Sequence, residues 1–377
     1  FLSGGLDSTL VAAILARRAQ CDVHAFTIGF PDPAFDESEP ARRIAGHLGI
    51  RHTERILSPT EMLDILPRWG ELFDEPFGDS SGVPTYLVSS VARESVKVAL
   101  SADGGDELFS GYHQYGVTLE RERVLKRIPR PARVALSQAL KLAPFPMLQR
   151  VMEGLPAPPS VHHAARRAVF DRLERLAPIM PDVEPAMLYD MGTSSWTRRE
   201  SERLLGCTAQ PRAVLNGHAR DLATYMTCCD LRHYLPGDIL TKVDRATMAV
   251  SLEGREPLLD HRIVEFALRL PLDLKRGALG TKHLLRRILY RYVPRALVER
   301  PKRGFSVPLS RWLSGELSTL VDAYLAPARI TAGAVFDPAE VERAVRGLRD
   351  GGARRDRLDV RKVWLLLAFE MWRERWT

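Results

Sequence analysis

The chain begins with a short apolar segment that turns through two glycines into a helical sequence. Residues 3–8 read Ser-Gly-Gly-Leu-Asp-Ser, and the apolar run 11–16 predicts a buried helix. Glycines let backbone N–H groups approach a ligand closely, and a helix N-terminus favours an anion. The lysine of the G-x-x-x-x-G-K-[ST] loop is missing, and Asp7 stands where a carboxylate suits a divalent cation. The segment predicts a phosphate-binding turn, with a plain Gly-Gly turn capped by Asp7 and Ser8 as the alternative.

Strand and helix signals alternate over residues 1–115, and strand signals fade from about residue 116. This alternation is typical of parallel α/β units, whose crossovers bring the carboxyl ends of the strands to one edge of the sheet. We predict an α/β fold with a doubly wound parallel sheet over 1–115 and a mainly α-helical region over 116–377 that packs on it. The predicted strands are 22–28, 52–57 and 96–100, and the predicted helices are 35–48, 60–72 and 83–95.

Composition excludes several classes of protein. The 377 residues are 45% apolar and 27% charged, and no apolar run approaches the ~20 residues that span a membrane. The first residues do not form a signal peptide, and four cysteines without zinc spacing favour a reducing, cytoplasmic location. The net charge of +7 includes a basic cluster at 121–133 that lacks interleaved aromatic residues. We therefore expect a solvated helix face or a surface for an anionic partner there, and no nucleic acid.

A second acidic glycine turn follows the strand predicted at 96–100. Residues 101–107 read Ser-Ala-Asp-Gly-Gly-Asp-Glu, again ahead of a helix. Because the ends of parallel strands share an edge, we expect Asp7 and Asp106 to lie close together. Two carboxylates with phosphate oxygens and water suit octahedral Mg²⁺. The alternative is that Asp106 and Glu107 only favour a helix N-terminus through its dipole.

Two later segments carry charge that a site could use. The loop at 300–308 is basic and bounded by prolines, and an oriented Lys302 or Arg303 could stabilise a developing negative charge. The alternative is a basic surface loop. Residues 235–260 look helical and are too charged for an apolar core unless their charges are paired, which leaves structural salt bridges and substrate binding both open.

These segments, in this order, resemble the synthetase domain of glutamine-hydrolysing asparagine synthetases of the bacterial class B type. That family belongs to the ATP-pyrophosphatase group, which is marked by the Ser-Gly-Gly-x-Asp-Ser loop and has a HUP/Rossmann-like fold. The resemblance implies that aspartate attacks the α-phosphorus of ATP to form β-aspartyl-AMP and pyrophosphate, and that ammonia then displaces AMP to give asparagine. The similar segments are 3–8, 74–81, 101–112, 241–260 and 301–312.

The resemblance also implies roles for individual residues. Asp7 and Asp106 would hold Mg²⁺, and Lys302 would stabilise charge at the α-phosphate. Asp103 stands where many relatives carry a glutamate proposed to handle the ammonia proton, and its shorter side chain could recover that reach through backbone placement or a water. The residues that would bind ATP are Leu2, Ser3, Gly4, Gly5, Asp7, Ser8, Ile28, Ser101 and Ala102. The residues that would form walls of the substrate site are Asp79, Glu253 and Arg255.

The sequence departs from this family at its front. The family carries an N-terminal glutaminase domain that begins with a catalytic cysteine, and no such domain precedes residue 3. We therefore expect 1–377 to be one synthetase domain, cut from a longer chain, that takes ammonia from glutamine through the missing domain. A homodimer is compatible with the sequence.

Two alternative functions stay open. Enzymes of the β-lactam synthetase and lasso-peptide cyclase type use the same adenylation scaffold, but the Tyr/Glu pair of the β-lactam group has no clear match here. The other alternative is a nucleotide-binding module without catalysis, against which Asp7, Asp106 and Lys302 argue.

Overall fold

The computed structural model describes residues 1–19, 22–33, 36–142, 173, 175–208, 219–300, 307–350 and 357–377. The chain divides into two compact units. The first unit contains Phe1–His113, Thr227–Leu309 and Met371–Thr377, and the second contains Gln114–Met226 and Ser310–Glu370. The first unit therefore includes 227–309, which the sequence analysis assigns to the helical region after residue 115. Of the helices that the structure describes, none combines the length and the apolar character needed to cross a membrane.

The amino-terminal part of the first unit follows the predicted alternation, with strand boundaries within two residues of the predictions. The helix predicted at 60–72 is instead broken into three short pieces, because Pro67 cannot donate a helical hydrogen bond. The strands are β1 (His24–Gly29), β2 (Arg51–Ile56) and β3 (Val98–Leu100). The helices are α1 (Leu6–Arg18), α2 (Ser38–Leu48), α3 (Pro59–Leu63), a 3₁₀ turn (Leu66–Arg68), α4 (Trp69–Leu72), α5 (Gly82–Arg93) and α6 (Gly105–Leu108).

The remaining elements are mostly helices. Between residues 113 and 229 the described helices are α7 (His113–Arg127), α8 (Arg130–Leu142), α9 (Pro185–Thr193), α10 (Arg198–Leu205) and α11 (Leu222–Cys229). Next come a π-helical stretch (Asp230–Leu240), α12 (Thr241–Met248), strand β4 (Glu253–Arg255), a 3₁₀ turn (Pro257–Leu259) and α13 (His261–Arg269). They are followed by α14 (Leu272–Lys275), strands β5 (Arg276–Gly277) and β6 (Gly280–Thr281), α15 (His283–Leu289) and α16 (Arg295–Val298). The last helices are α17 (Leu309–Ser314), α18 (Ser318–Tyr324), α19 (Pro327–Gly333), α20 (Pro338–Asp350) and α21 (Arg357–Trp376).

The region predicted as helical at 235–260 changes conformation near its middle. Pro236 lies inside the π-helical stretch, where its missing N–H removes an α-helical hydrogen bond. The helix then ends, and Ser251 takes a left-handed φ of 57°. The next residues form β4, which pairs in parallel with β3 from Val98↔Glu253 to Leu100↔Arg255. A three-residue strand is too short for its periodicity to be recognised in the sequence.

Strand pairing in the first unit is mainly parallel. β1 and β2 pair in parallel along their whole length, from His24↔Arg51 to Gly29↔Ile56. The Leu2 amide donates to the Phe26 carbonyl (3.0 Å), so the first residues also lie against β1. Among the described residues the strands form three two-stranded sheets, of which β5–β6 is antiparallel. The parallel α/β pairing is thus present in a helix-rich chain, and a continuous doubly wound sheet stays a prediction.

An aromatic cluster supports the segment between α4 and α5. Trp69 is fully buried, packs against Phe73 and Phe77, and donates from Nε1 to the Phe77 carbonyl (2.9 Å). Phe73 and Phe77 stack with ring centroids 4.2 Å apart. This packing holds the backbone that leads into Asp79 and the start of α5.

The second unit is held by ion pairs and hydrogen bonds between distant segments. Lys362 on α21 lies 2.7 Å from Glu200, which also closes a capping box with Thr197 at the start of α10. Arg133 donates to the Met180 carbonyl (2.8 Å), and Ser137 donates to the Ala177 carbonyl (2.6 Å).

Trp69→Ala should destabilise the first unit by about 3–5 kcal/mol, because it removes a fully buried ring and leaves a cavity. Urea unfolding followed by circular dichroism measures the loss. The control is Phe266→Ala, whose side chain is largely exposed and whose effect should stay within about 0.5 kcal/mol. Equal effects of the two substitutions would contradict the role of Trp69.

Candidate active site

The Ser-Gly-Gly turn leads directly into α1, as the sequence predicts. Ser3 Oγ accepts a hydrogen bond from the Gly5 amide (3.2 Å) and lies 3.1 Å from Ser8 Oγ. Ser8 Oγ also lies 3.2 Å from the Gly5 carbonyl, to which it can donate. These contacts shape the turn at a helix N-terminus, where unpaired amides and the helix dipole favour an anion. The predicted phosphate-binding residues Ser3, Gly4, Gly5 and Ser8 all lie in this turn.

Leu2, just before the turn, is hydrogen-bonded to β1, the strand that carries Ile28. Both side chains are almost fully buried, and Thr27 Oγ1 donates to the Leu2 carbonyl (2.5 Å). An adenosine bound here would therefore meet the backbone of these two residues more readily than their side chains.

The second acidic turn packs directly on the first. Gly105 begins α6, and a Cβ added to it would lie 2.8 Å from Asp7 Oδ1, so a side chain at this position would separate the two turns. Asp106 follows immediately, in the first turn of α6. The structure thus brings Asp7 and Asp106 together, as the sequence analysis expects.

A lysine that the sequence analysis does not identify lies between these two carboxylates. Lys282 Nζ lies 2.8 Å from Asp106 Oδ1 and forms an ion pair with Asp7 Oδ2. Only 6% of the Lys282 side chain is exposed. Burial by itself would lower the pKa of the Lys282 ammonium, but the charges of Asp7 and Asp106 outweigh it and raise that pKa. The ammonium is therefore charged at neutral pH.

The backbone around Lys282 is adapted to this contact. Lys282 has a left-handed φ of 55°, which is uncommon for a residue with a side chain. Gly111 makes room for it, because a Cβ there would collide with Lys282 Cε and Asp106 Oδ1. In the sequence Lys282 stands in a basic stretch, which is more typical of a solvated helix face, so no local signal identifies it.

The donor set of the two turns fits a hard divalent cation. Two carboxylates converge on one point that already holds a positive charge, and Mg²⁺ is commonly bound through one or two carboxylates with the rest of its shell from phosphate and water. Across the described part of the chain, no group of three or more His, Cys, Asp or Glu side chains could hold a metal ion. A cation held by Asp7 and Asp106 would complete its shell with phosphate and water oxygens.

Glu107 is buried next to Asp106 in the chain and forms a hydrogen bond with Tyr112. Tyr112 donates its hydroxyl to Glu107 Oε1 (2.6 Å), and Glu107 is 1% exposed. Burial raises the pKa of Glu107 to about 7. Glu107 thus does more than favour the helix N-terminus, since its side chain anchors the end of the turn to Tyr112.

The strand end at β3 carries the predicted adenosine contacts Ser101 and Ala102 and the candidate catalytic Asp103. Ser101 Oγ donates to Asp103 Oδ2 (2.7 Å), and the Ser101 amide donates to the Arg255 carbonyl (2.9 Å). The residue after Arg255 is Glu256, whose carboxyl group is half-buried near Asp103. Burial and the charge of Asp103 raise the pKa of Glu256. The sequence analysis does not identify Glu256, because its proximity to Asp103 depends on the pairing of β3 with β4.

Asp79 is engaged in a buried ion pair. Its Oδ2 lies 2.8 Å from Lys242 Nζ and accepts from the Ser81 hydroxyl (2.7 Å), and its Oδ1 accepts from the Ser81 amide (3.0 Å). Burial alone would raise the pKa of Asp79, but Lys242 and Ser81 outweigh it and lower that pKa to about 2. The negative charge of Asp103 also contributes to raising the pKa of Lys242. The predicted wall residue is therefore a carboxylate that holds a buried ammonium.

Glu253 and Arg255 have a different environment from Asp79. Arg255 Nε lies 2.7 Å from Glu253 Oε1, and both side chains are more than half exposed. They stand on alternate positions of β4 and so share one face of that strand. The structure places them together, as an exposed pair.

Lys302 lies outside the described residues. Arg300, two positions before it, is described and contacts the first turn. One guanidinium nitrogen of Arg300 donates to the Ser3 carbonyl (3.2 Å) and to Glu37 Oε1 (3.1 Å). The basic segment is thus attached at its start to the Ser-Gly-Gly turn, a contact between residues 297 positions apart that sequence spacing does not reveal.

Comparison with known proteins relates this site to one family. The family model described as asparagine synthase matches residues 1–374. A putative glutamine-hydrolyzing asparagine synthetase of Mycobacterium tuberculosis is 35% identical over 382 residues, which cover 99% of this chain and 53% of that protein. Glutamine-hydrolyzing asparagine synthetase 1 of Bacillus subtilis is 30% identical over 374 residues, or 99% of this chain and 55% of that protein.

A more distant relative, the glutamine-hydrolyzing asparagine synthetase of Bos taurus, is 26% identical over 319 residues, which cover 81% of this chain and 38% of that protein. The chain spans about half the length of the bacterial relatives it matches. Because the family model covers nearly every residue and both glycine turns stand where the fold brings their acids together, this chain belongs to the asparagine synthase family.

Proposed function

We propose that this chain catalyses the ATP-dependent amidation of aspartate to asparagine, with β-aspartyl-AMP as the intermediate and AMP and pyrophosphate as by-products. The observation that carries the proposal is that the carboxylates of Asp7 and Asp106 meet at the N-terminus of α1, where both contact the Lys282 ammonium. An anion-binding helix end beside paired carboxylates suits the triphosphate of ATP with a divalent cation. The names of the relatives support the same reaction.

In this proposal the first turn binds the pyrophosphate part of ATP. The amides of Gly4 and Gly5 and the hydroxyls of Ser3 and Ser8 would contact its oxygens. The adenosine would lie against the backbone of a flanking set of residues, namely Leu2, Ile28, Ser101 and Ala102. Asp7 and Asp106 would hold Mg²⁺, whose charge would offset that of the departing pyrophosphate.

Lys302 is proposed to stabilise the negative charge that develops at the α-phosphate. The contact of Arg300 with the Ser3 carbonyl supports this role, since it attaches the basic segment to the turn that would bind ATP. A single oriented donor at such a charge is worth several kcal/mol in the transition state.

Asp103 is proposed to accept the proton that ammonia loses when it attacks the acyl adenylate. Its side chain is shorter than glutamate, and Glu256 lies near enough for the charge of Asp103 to raise its pKa. Burial and the charge of Asp103 raise the pKa of Glu256, which makes its carboxylate a better proton acceptor than an exposed glutamate. The two carboxyl groups together would then supply the reach that Asp103 alone lacks.

The acyl substrate is proposed to bind near the Asp79–Lys242 pair, with Glu253 and Arg255 at the outer edge. Asp79 would act through Lys242, as a positioning residue that keeps the buried ammonium in place close to Asp103. The ammonia would come from glutamine, because the relatives are named for glutamine hydrolysis and this chain spans about half of their length.

The decisive experiment is aspartate-dependent exchange of labelled pyrophosphate into ATP. Incubation of the chain with ATP, Mg²⁺ and aspartate should give exchange, and addition of ammonium should give asparagine and AMP in equal amounts. Glutamate replaces aspartate in the control reaction and should give little exchange. If pyrophosphate is released equally fast without aspartate, water attacks the α-phosphorus and the assignment of aspartate as substrate is wrong. If none is released, the enzymatic proposal is wrong.

Lys302→Ala should leave ATP binding unchanged and slow adenylation by about 10²-fold or more, because one donor to the transition-state charge is lost. Isothermal titration with ATP and the exchange rate give the two quantities separately. Arg303→Ala is the matched control, as a neighbouring cation that the proposal does not use. An exchange rate in Lys302→Ala equal to that of the unsubstituted chain would overturn this role of Lys302.

Asp79→Asn should destabilise the protein by about 3 kcal/mol or more at pH 7, because it leaves the Lys242 ammonium buried without its carboxylate. The folded-state pKa of Asp79 is about 2, below its unfolded value, so the stabilisation is complete above about pH 4 and is lost as the pH falls towards 2. Urea midpoints of the two proteins at pH 7 and pH 3.5 measure the difference. Asp74→Asn, in an exposed pair with Arg245, is the control and should change little at either pH.

A further inference from the structure

We propose that Lys282 is the resident counter-ion of the metal-binding acids, so that its ammonium holds Asp7 and Asp106 together in the metal-free protein and leaves them when a divalent cation binds. This inference rests on the proposed assignment of Asp7 and Asp106 as metal ligands. It adds a residue that neither the sequence motifs nor the relatives' names point to.

The first step of the argument is the charge balance of the two turns. Asp7 and Asp106 are both largely buried, at 15% and 18% exposure of their side chains. Two carboxylates held this close repel one another strongly where water is scarce. The Lys282 ammonium bonds both of them and is itself 6% exposed, so it offsets this repulsion.

The second step is that one position cannot hold both cations. Lys282 Nζ contacts Asp7 Oδ2 and Asp106 Oδ1, one oxygen of each of the two carboxylates that a shared Mg²⁺ would use. Mg²⁺ binds oxygen at about 2.0–2.1 Å and tolerates little distortion of its octahedral shell. A divalent cation between the two carboxylates therefore requires the ammonium to move away from at least one of them.

The third step is that the backbone is shaped for this lysine. Its left-handed φ of 55° is a conformation that persists only where the surroundings enforce it, and such strain is concentrated at functional sites. The absence of a side chain at Gly111 leaves the space that Lys282 Cε occupies. A lysine with only a structural role on the surface would need neither feature.

The test compares Mn²⁺ binding to the metal-free 377-residue chain and to Lys282→Met, without nucleotide. Electron paramagnetic resonance of free Mn²⁺ gives the affinity, and thermal unfolding with and without Mn²⁺ gives the stability. Lys282→Met should bind Mn²⁺ about tenfold or more tightly than the unsubstituted chain, because a competing buried charge is removed. Its metal-free melting temperature should be lower by about 5 °C or more, and Mn²⁺ should restore much of that loss.

Lys242→Met is the matched control, since Lys242 is also a buried lysine but pairs with one carboxylate outside the metal pair. It should lower the melting temperature, and Mn²⁺ should raise that temperature no more than it does for the unsubstituted chain. Lys282→Gln is the second variant if Lys282→Met does not fold, because its amide keeps a hydrogen bond to a carboxylate while the charge is lost. It should also bind Mn²⁺ more tightly than the unsubstituted chain.

The outcomes separate this inference from the proposed function. If the unsubstituted chain binds Mn²⁺ through Asp7 and Asp106, as loss of binding in Asp7→Asn would show, and the Lys282 variants bind it no more tightly, the counter-ion role is overturned and the metal assignment stands. If Asp7→Asn introduced into Lys282→Met leaves Mn²⁺ binding unchanged, the metal assignment is wrong and this inference falls with it.

Discussion

The bridge from Asp7 through Lys282 to Asp106 is the contact on which the arrangement of the candidate site depends. It joins the N-terminus of α1, the start of α6 and the residue before α15, which are far apart in the chain. Each of the three charges is largely buried, and a buried charge without a partner is strongly destabilising. The three segments therefore have to be packed together for any of these charges to be tolerated, and this packing places a cation where the two acidic turns meet.

Close backbone approach makes this bridge sterically feasible. At Gly105 a side chain would push against Asp7, and at Gly111 it would occupy the space of Lys282 and Asp106. The same principle of paired buried charge recurs at Asp79, where Lys242 and two hydrogen bonds from Ser81 hold an ionised carboxylate. Two buried lysines thus serve two acidic groups in the first unit, and each would be unstable there without its carboxylates.

The sequence predicts much of the first unit because the signals that it uses are local. Alternation of apolar runs with helical segments predicts strands at 22–28, 52–57 and 96–100, and the structure has β1, β2 and β3 there. Residues 235–260 are only half helical, since β4 depends on pairing with β3, which is more than 150 residues away in the chain. Contacts of that range leave no periodic pattern in either segment, so neither Glu256 beside Asp103 nor the return of 227–309 to the first unit could be predicted.

By itself, the sequence determined the family of this chain and the chemistry of its two turns, because glycine, acid and helix start are adjacent within a few residues. It could not show that the Lys282 ammonium pairs with Asp7 and Asp106. Lys282 is 275 residues from Asp7 and lies in a basic stretch that looks like any solvated helix face. Only the tertiary structure removed that lysine from water and set it between two carboxylates, since burial and pairing of charge are properties of the packed chain.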